Sequence, residues 1–438
     1  MPKTPRTSLL LVVTFAFLLC LSPGNSSAQK AGRLERGQWR DVLKNLKAAL
    51  KDNYYDPSLR GMDLDARFEV AHDKMKIATS LSQLTGIAAQ VLLDFDDSHT
   101  LLIPPYQFSD VDYGWSMQVV GSDCYVLSVS PRSDAEAKGL QAGDRVLSID
   151  GRTMDRSKAW LADYLYNVLQ PQPTMKLIVE KPDKREVELI IETKLGKRTK
   201  FVNHNFEWVN SVIYAPELYE ADDDRFYELS KDVLVWKMPK FRGRILHMAD
   251  EKLKHRKGLI LDLRGNPGGY VEAMESFTGY FFDSNIKISE SRGRKKFKPS
   301  FAESRKDKAF KGQLVILIDG GSRSEAEVFA RTVQLQKRGV VIGDRSAGSV
   351  MRSRFYPMHH GGHNEMLYGI FVTEADVIMP DGKSLEHVGV TPDEMLLPTA
   401  QELSANLDPV LARAAAIVGV ELDAKKAGTL FPVVWKNR

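Results

Sequence analysis

The sequence predicts a multidomain α/β protein: a helical front, a β-rich middle, an α/β core with a largely parallel sheet, and a short C-terminal helix. Three observations predict it. Apolar residues recur at helical spacing before residue 107, short strands dominate between 108 and 196, and beyond 224 fully apolar runs alternate with amphipathic stretches. The expected limits are a leader at 1–28, a helical domain at 29–107, a strand-rich domain at 108–196, the core at 197–400 and a helical tail at 401–438.

The leader reads as an export signal. Lys3 and Arg6 make a basic start, SLLLVVTFAFLLCL is an apolar run short for a membrane span, and Ser26, Ser27 and Ala28 are small residues suited to cleavage. Leu19 precedes Cys20, where a lipid-anchor signal wants a small residue. The mature chain is expected to begin at Gln29, to be secreted or periplasmic, and to have no stable membrane insertion. Removing the leader takes only Lys3 and Arg6 from 61 basic residues that face 57 acidic ones. That near-neutral balance argues against nucleic-acid or charged-membrane partners. Cys124 is then the sole remaining cysteine, expected as a small buried apolar residue without a disulfide.

In the helical front, Trp39, Val42, Leu43, Leu46 and Leu50 repeat at helical spacing, and SLSQ places Ser80 and Gln83 as a capping box before Leu84, Ile87 and Val91. LLDFDDSHTLLIPP then turns the chain and stops at Pro104 and Pro105. Ser98 and His99 therefore sit side by side in a turn between ordered elements.

The middle reads as the strands WSMQVV, CYVLSVS, TMKLIVE and EVELIIE, with a helix at SKAWLADYLYNVL. Its run GLQAGDRVLSIDG, from Gly139 to Gly151, resembles a PDZ domain. Such domains add an extended chain end to a sheet edge and hold its carboxylate with backbone amides. The resemblance puts that loop at Tyr113 to Ser116, so Gly114, Trp115 and Ser116 are the candidate contacts to a peptide terminus; the usual Gly-Leu-Gly-Phe form is absent there. A domain that only packs on or gates its neighbour is the alternative.

The stretch 201–224, ending in EADDD, reads as a polar connector. After it DVLVWKM, GLILDLR, LVILIDG and GVVIGDR are short apolar strands, separated by the amphipathic GRILHMADEKLK and EAEVFARTVQLQK. DPVLARAAAIVGVELDAKK reads as one last helix.

The chemistry centres on GGSRSEAEVFA. Ser324 follows a strand and a Gly320-Gly321 turn and precedes a helix with Glu325 and Glu327 in its first turn, an order that complements the helix dipole. Ser324 is either a nucleophile beside unpaired amides or an ordinary N-cap. A second glycine turn, Arg264 to Gly269, follows a buried strand. Pro267 carries no N–H, which makes Gly268 the expected donor to a developing oxyanion, together with the amide of Glu325.

Helical front, PDZ-like middle, LILDLRGNPGG, the S-x-x-E-x-F-A helix and GVVIGDRSAG occur in the order found in C-terminal processing and tricorn-core serine peptidases. The resemblance covers nearly the whole mature chain and implies a ClpP/crotonase-like core. In the processing branch a lysine after the glycine of the last motif is the base, and here Ser349 stands in its place. Arg352 cannot replace it, because a guanidinium stays protonated. The tricorn-like branch uses histidine. By that resemblance His99 takes the Ser324 proton, Ser98 and Glu386 of LEHVGVTPD orient and stabilise the imidazole, and Gly268 and Glu325 hold the oxyanion.

The resemblance therefore implies an exported serine endopeptidase that cleaves unfolded proteins or protein tails, with protein or peptide substrates, no cofactor or metal, and room for a homo-oligomer. The alternative is a catalytically inactive relative that binds a ligand or serves as a PDZ adaptor. HHGGH, with His359, His360 and His363, lacks an acidic or thiol partner at ligand spacing and reads as a surface hairpin loop.

Overall fold

The computed structural model describes residues 31–108, 111–196, 198–200, 223–360, 366–433 and 435. The expected leader, most of the 201–224 connector and His363 lie outside them. Among the described residues no helix is long and apolar enough to cross a membrane.

Helices α1 (Arg33–Asn53), α2 (Leu64–Ile77) and α3 (Leu81–Leu93) form the front. Trp39, Val42, Leu43, Leu46 and Leu50 are the buried stripe of α1, since residues three and four apart share a helical face. Asp63 and Ser80 cap α2 and α3 by accepting the amides of Ala66 and Gln83, which the first turn leaves unpaired. The Gln83 side chain closes on the Thr79 amide at 2.6 Å, one residue outside the box that SLSQ suggests. The chain then turns into strand β1, Leu101–Ile103, which pairs antiparallel with Phe371, Ile370 and Gly369 of the core.

The middle is an antiparallel path of β2 (Trp115–Val120), β3 (Asp123–Val129), β4 (Arg145–Ile149), β5 (Thr174–Glu180) and β6 (Glu186–Glu192). Along β5, Met175, Leu177 and Val179 are buried and Thr174 and Lys176 exposed, the two-residue period of a one-sided sheet. The helix expected at SKAWLADYLYNVL splits into α4, Ala159–Tyr164, and a π-helical turn, Leu165–Leu169. The wider turn rotates the apolar face, so Tyr164, Leu165, Tyr166, Val168 and Leu169 are all buried. The Tyr164 hydroxyl accepts the Leu102 amide at 3.0 Å and donates to the Leu102 carbonyl at 2.6 Å, which ties this unit to β1. Cys124 is buried here, and burial pushes its thiol up to about 12, so it is inert.

The core sheet runs β7 (Arg225–Glu228), β8 (Val233–Lys237), β9 (Gly258–Asp262), β11 (Gln313–Ile318), β12 (Val340–Gly343), β15 (Glu394–Met395). Only β7 is antiparallel to its neighbour. Helices α5 (Ile245–Lys252), α6 (Val271–Thr278) and α7 (Glu325–Leu335) cover one face, and α8 (Pro409–Ile417) covers the other. Alternation decides the layers: Leu234 and Trp236 pack with Phe277 and Phe329, while Val233 and Val235 pack with Val410, Leu411 and Ala414. A second sheet is built on β14 (Met366–Ile378), which pairs with β1, with β13 (Met351–His360) and with β10 (Ile286–Arg292).

The tail is not one helix. Gly419 takes φ 77° after α8, a left-handed stop, and Asp423 restarts a short helix, Ala424–Gly428, by capping the Lys426 amide.

Candidate active site

The turn after α3 is held from below by Asp97, which is buried. Its Oδ1 accepts the amides of His99 at 3.0 Å and Thr100 at 2.7 Å and the hydroxyl of Thr373 at 2.8 Å, while Oδ2 accepts the Thr100 hydroxyl at 2.8 Å. Asp96 stands at φ 49°, which lets the chain reverse sharply. Ser98 and His99 are thereby presented toward the core.

Ser98 and Glu386 meet across most of the chain. The Ser98 amide donates to Glu386 Oε1 at 2.9 Å, the Ser98 hydroxyl to Oε2 at 3.0 Å, and Ser98 Oγ lies 2.6 Å from His99 Nδ1. A hydroxyl has one proton to give, and an ionised carboxylate can only accept. With Ser98 donating to Glu386, Nδ1 must carry the proton that Ser98 Oγ accepts, and Nε2 is left with a lone pair. Burial pushes His99 down to about 4, with the charge of Arg323 adding to the effect and Asp97 opposing it, so the ring is neutral at ordinary pH. Burial also raises the Glu386 carboxyl, against the pull of the Ser98 amide.

Ser324 sits at the start of α7 with φ 54° and ψ −121°, a strained conformation for a residue with a side chain. Its amide donates to the Ser349 carbonyl and to Glu327 Oε2, both at 3.0 Å. Its hydroxyl donates to Glu325 Oε2 at 2.8 Å rather than to His99. Glu327 is fully buried and also accepts the Ser346 hydroxyl at 2.6 Å and the amides of Gly348 at 2.7 Å and Ser349 at 2.9 Å. Burial raises its carboxyl to about 7, but four donors leave it no proton to share and favour the ionised form. The same loop reaches Glu386, because the Val350 amide donates to its Oε2 at 2.9 Å. Ser349 thus bonds through its backbone beside Ser324, and the Arg352 guanidinium stacks on Phe297, 4.5 Å from the ring centroid.

The glycine turn departs from expectation at one amide. Gly268 N–H donates to Asn266 Oδ1 at 2.8 Å, inside the turn that Pro267 bends. Gly269 N–H instead reaches Glu325 Oε2 at 2.9 Å. Gly268 and Gly269 lie at φ 103° and 148°, and a Cβ on Gly269 would meet the Phe241 carbonyl at 2.1 Å, so neither tolerates a side chain. Arg264 bridges Asp262 and Asp408, anchoring the turn to the start of α8.

At the PDZ-like unit, Gly114 N–H is engaged by Asp112 Oδ1 at 2.9 Å, Trp115 is buried opposite Val129, and the Ser116 hydroxyl bonds Ser128 at 2.7 Å. The expected terminus-binding amide of Gly114 is therefore taken, because the acidic residue two positions earlier closes its own turn. A cavity of about 560 Å³ lies between β2 and α4 on one side and the loops of Gly265 and Arg323 on the other. Asp163 of α4, raised to about 6 by burial, faces Arg323 at 3.8 Å. His359 and His360 close strand β13, and among the described residues no group of three His, Cys, Asp or Glu is placed to hold a metal.

The structure thus links His99 to Glu386 through Ser98 and places Ser324 and Glu325 at the start of α7, beside the 346–350 loop whose Val350 amide meets Glu386. Sequence reasoning missed Asp97, Asn266 and the side chains of Glu325 and Glu327. The sole signal was a pair of acids in one helical turn, which dipole compensation explains equally well.

Residues 233–396 match the family model described as peptidase family S41, and residues 125–178 match a PDZ domain. A carboxy-terminal-processing protease of Bartonella bacilliformis is 28% identical over 297 residues, covering 64% of this chain and 60% of that protein. Carboxy-terminal processing protease CtpB of Bacillus subtilis is 24% identical over 296 residues, covering 64% of this chain and 54% of the relative. The chain therefore spans less than two thirds of the length of these two relatives. Mature CPAF superposes with TM-score 0.64 at 13% identity, over 85% of this chain and 94% of that one. The photosystem II D1 C-terminal processing protease gives 0.51 at 19% identity, over 88% and 98%. Both likenesses are of fold. Residues 233–396 are thus similar to peptidase family S41, and residues 125–178, ahead of them, to a PDZ domain.

Proposed function

We propose that the protein is an exported serine endopeptidase that cleaves unfolded chains or protein tails through an acyl-enzyme, with Ser324 as nucleophile and His99 as general base. The carrying observation is the Glu386–Ser98–His99 chain, at 3.0 and 2.6 Å, which leaves Nε2 as the basic nitrogen. Attack of Ser324 Oγ on the scissile carbonyl carbon sends the hydroxyl proton to Nε2. The Oγ–C bond forms, and the carbonyl electrons move to an oxyanion. When it collapses, the C–N bond breaks and His99 returns the proton to the departing amine. A water then attacks the ester carbonyl, giving its proton to His99; the Oγ–C bond breaks, His99 returns the proton to Ser324 Oγ, and the product carboxylate leaves. Ser98 and Glu386 stabilise the transient imidazolium in a site where burial opposes it. Export rests on the basic, apolar and small-residue order of the first 28 residues.

Ser324→Ala and His99→Ala should each abolish peptide hydrolysis without unfolding the protein, and a fluorophosphonate should label Ser324 in the wild type. Near-normal turnover by His99→Ala would remove the histidine from the mechanism. A non-catalytic chain-binding protein is the competing reading, favoured by the bond from Ser324 to Glu325 in place of His99. Failure of any serine probe to label folded protein would select it.

A further inference from the structure

The hairpin after β10 carries RGRKKFK, residues 292–298, five cations in seven residues without an acid. That is more positive charge than the +4 net of the whole chain. Two of the five have a structural role: Arg294 donates to the Lys51 carbonyl at 2.7 Å, in the last turn of α1, and Lys295 pairs with Glu374 at 2.8 Å. Arg292, Lys296, Lys298 and Arg352 of β13 are exposed and form no ion pair with a carboxylate among the described residues. Arg292 and Lys296 even stand opposite each other in an antiparallel bridge, where like charges destabilise. The Arg352 guanidinium stacks on Phe297 of the hairpin, 4.5 Å from the ring centroid, and Arg354 adds its charge beside Glu374. Gly293 permits the close approach to β14, since a Cβ there would meet the Glu374 carbonyl at 2.1 Å. The hairpin is thus pinned through Arg294, Lys295 and Gly293 while its other cations gather beside Arg352.

We propose that Arg292, Lys296, Lys298 and Arg352 form an exosite that docks an acidic stretch of the protein substrate. The proposal rests on the peptidase reading above. Position supports it: Arg352 stands three residues after Ser349, whose carbonyl accepts the Ser324 amide, so the Cα atoms of Ser349 and Arg352 lie at most about 11 Å apart. A few extended residues of substrate span that distance from the scissile bond. Like charges held together without partners raise the local potential, which speeds encounter with an opposite charge and fixes its orientation. Carboxylates that arrive there relieve the repulsion between Arg292 and Lys296, a gain that a neutral chain does not bring. Nucleic acid is the less suited partner, because the hairpin's one aromatic ring, Phe297, is already stacked by Arg352 rather than left open for a base. The chain's 61 basic and 57 acidic residues also supply no long positive track for a phosphate backbone.

The test uses the whole purified chain as wild type, as the triple variant Arg292→Gln, Lys296→Gln, Lys298→Gln, and as the charge-keeping double variant Lys296→Arg, Lys298→Arg. Thermal unfolding checks that each is folded. The probes are quenched unfolded peptides of one neutral sequence, tagged at either end with a glutamate, serine or lysine hexamer. At low salt the wild type should cleave a glutamate-tagged peptide with kcat/KM at least about tenfold above its serine-tagged counterpart, mainly through KM, and near 1 M salt the preference should vanish. The triple variant should lose the preference and the charge-keeping variant should retain it. Equal turnover of glutamate- and serine-tagged peptides by the wild type, or an unchanged preference in the folded triple variant, overturns the proposal. So does binding of anionic lipid vesicles or a single-stranded DNA oligonucleotide that the triple variant loses, in a wild type that turns the tagged peptides over alike. A fluorophosphonate separates the two readings: absence of labelling at Ser324 in folded wild type overturns the peptidase reading, whereas labelling with charge-blind turnover overturns the exosite alone.

Discussion

Replacing Ser98 by alanine isolates the relay from the rest of the site. The hydroxyl bridges His99 Nδ1 at 2.6 Å and Glu386 Oε2 at 3.0 Å. Glu386 keeps the Ser98 amide at 2.9 Å and the Val350 amide at 2.9 Å, and Asp97 keeps the His99 and Thr100 amides, so the turn retains its shape. What disappears is the acceptor for Nδ1–H at the moment the ring becomes cationic. A hydrogen bond to a charged group is worth about 1.5–3 kcal/mol, and each ~1.4 kcal/mol is a factor of ten. Ser98→Ala should therefore lower kcat/KM about 10- to 150-fold, with most of the loss in kcat. Glu386→Gln should cost more, since its amide NH2 would face donors at Ser98 and Val350. The assay is steady-state hydrolysis of a quenched peptide, with thermal unfolding as the control for structure. A folded Ser98→Ala protein within twofold of wild-type kcat/KM would refute the relay.

The remaining predictions address pH, packing and the domain contact. His99 is held near pH 4 by burial, below its ordinary 6.5, so the neutral base persists in acid: kcat/KM should fall only as pH drops through about 4, and a limb near 6.5 in the pH profile would contradict this. The same depression means the unfolded chain binds the proton first; stability should decline as pH falls from 6.5 toward 4, by at most about 3 kcal/mol, and less in His99→Gln, as urea midpoints at the two pH values would show. Glu327→Gln offers one acceptor oxygen to four donors and should destabilise the protein by about 3 kcal/mol or more while slowing phosphonate labelling of Ser324; unchanged melting and labelling would deny its positioning role. Gly268→Ala at φ 103°, with its Cβ 2.7 Å from Ser324 Cβ, should abolish labelling even where circular dichroism is native. Arg156 joins the Gly121 carbonyl at 2.5 Å to Asp344 at 2.5 Å, so Arg156→Ala should speed amide exchange around Gly121 and Arg345 at least about tenfold, and unchanged exchange would show that other contacts hold the PDZ domain.

Much of the fold was legible because its elements are written in local period. The stripe from Trp39 to Leu50 and the alternation of Met175, Leu177 and Val179 state helix and strand without reference to anything distant. Ser324, His99, Ser98 and Glu386 were legible as candidates because few side chains can serve as nucleophile, base or orienting acceptor, and their motif order narrows the choice. The breaks were less so. Gly419 ends a helix inside an unbroken apolar pattern, and the π-turn after Tyr164 has no separate sequence mark, because both are settled by what the next residues pack against.

The two acids after Ser324 show where local reading stops. Glu325 and Glu327 look alike in sequence, yet one carboxylate faces the Ser324 hydroxyl and Gly269 while the other is buried against the 346–349 loop. Which acid meets which donors depends on loops that arrive from elsewhere. By itself the sequence determined the element types, their order and the candidate chemistry, since those follow from the side chains and their spacing. Only the tertiary structure decided that Thr100 and Thr373, 273 residues apart, lie 3.2 Å from each other, that Ser98 touches Glu386, and that the Gly269 amide rather than that of Gly268 reaches Glu325. The reason is that strand pairing of β1 with β14 and the burial of Asp97 are non-local: their free energy exists only once distant segments have excluded water from between them.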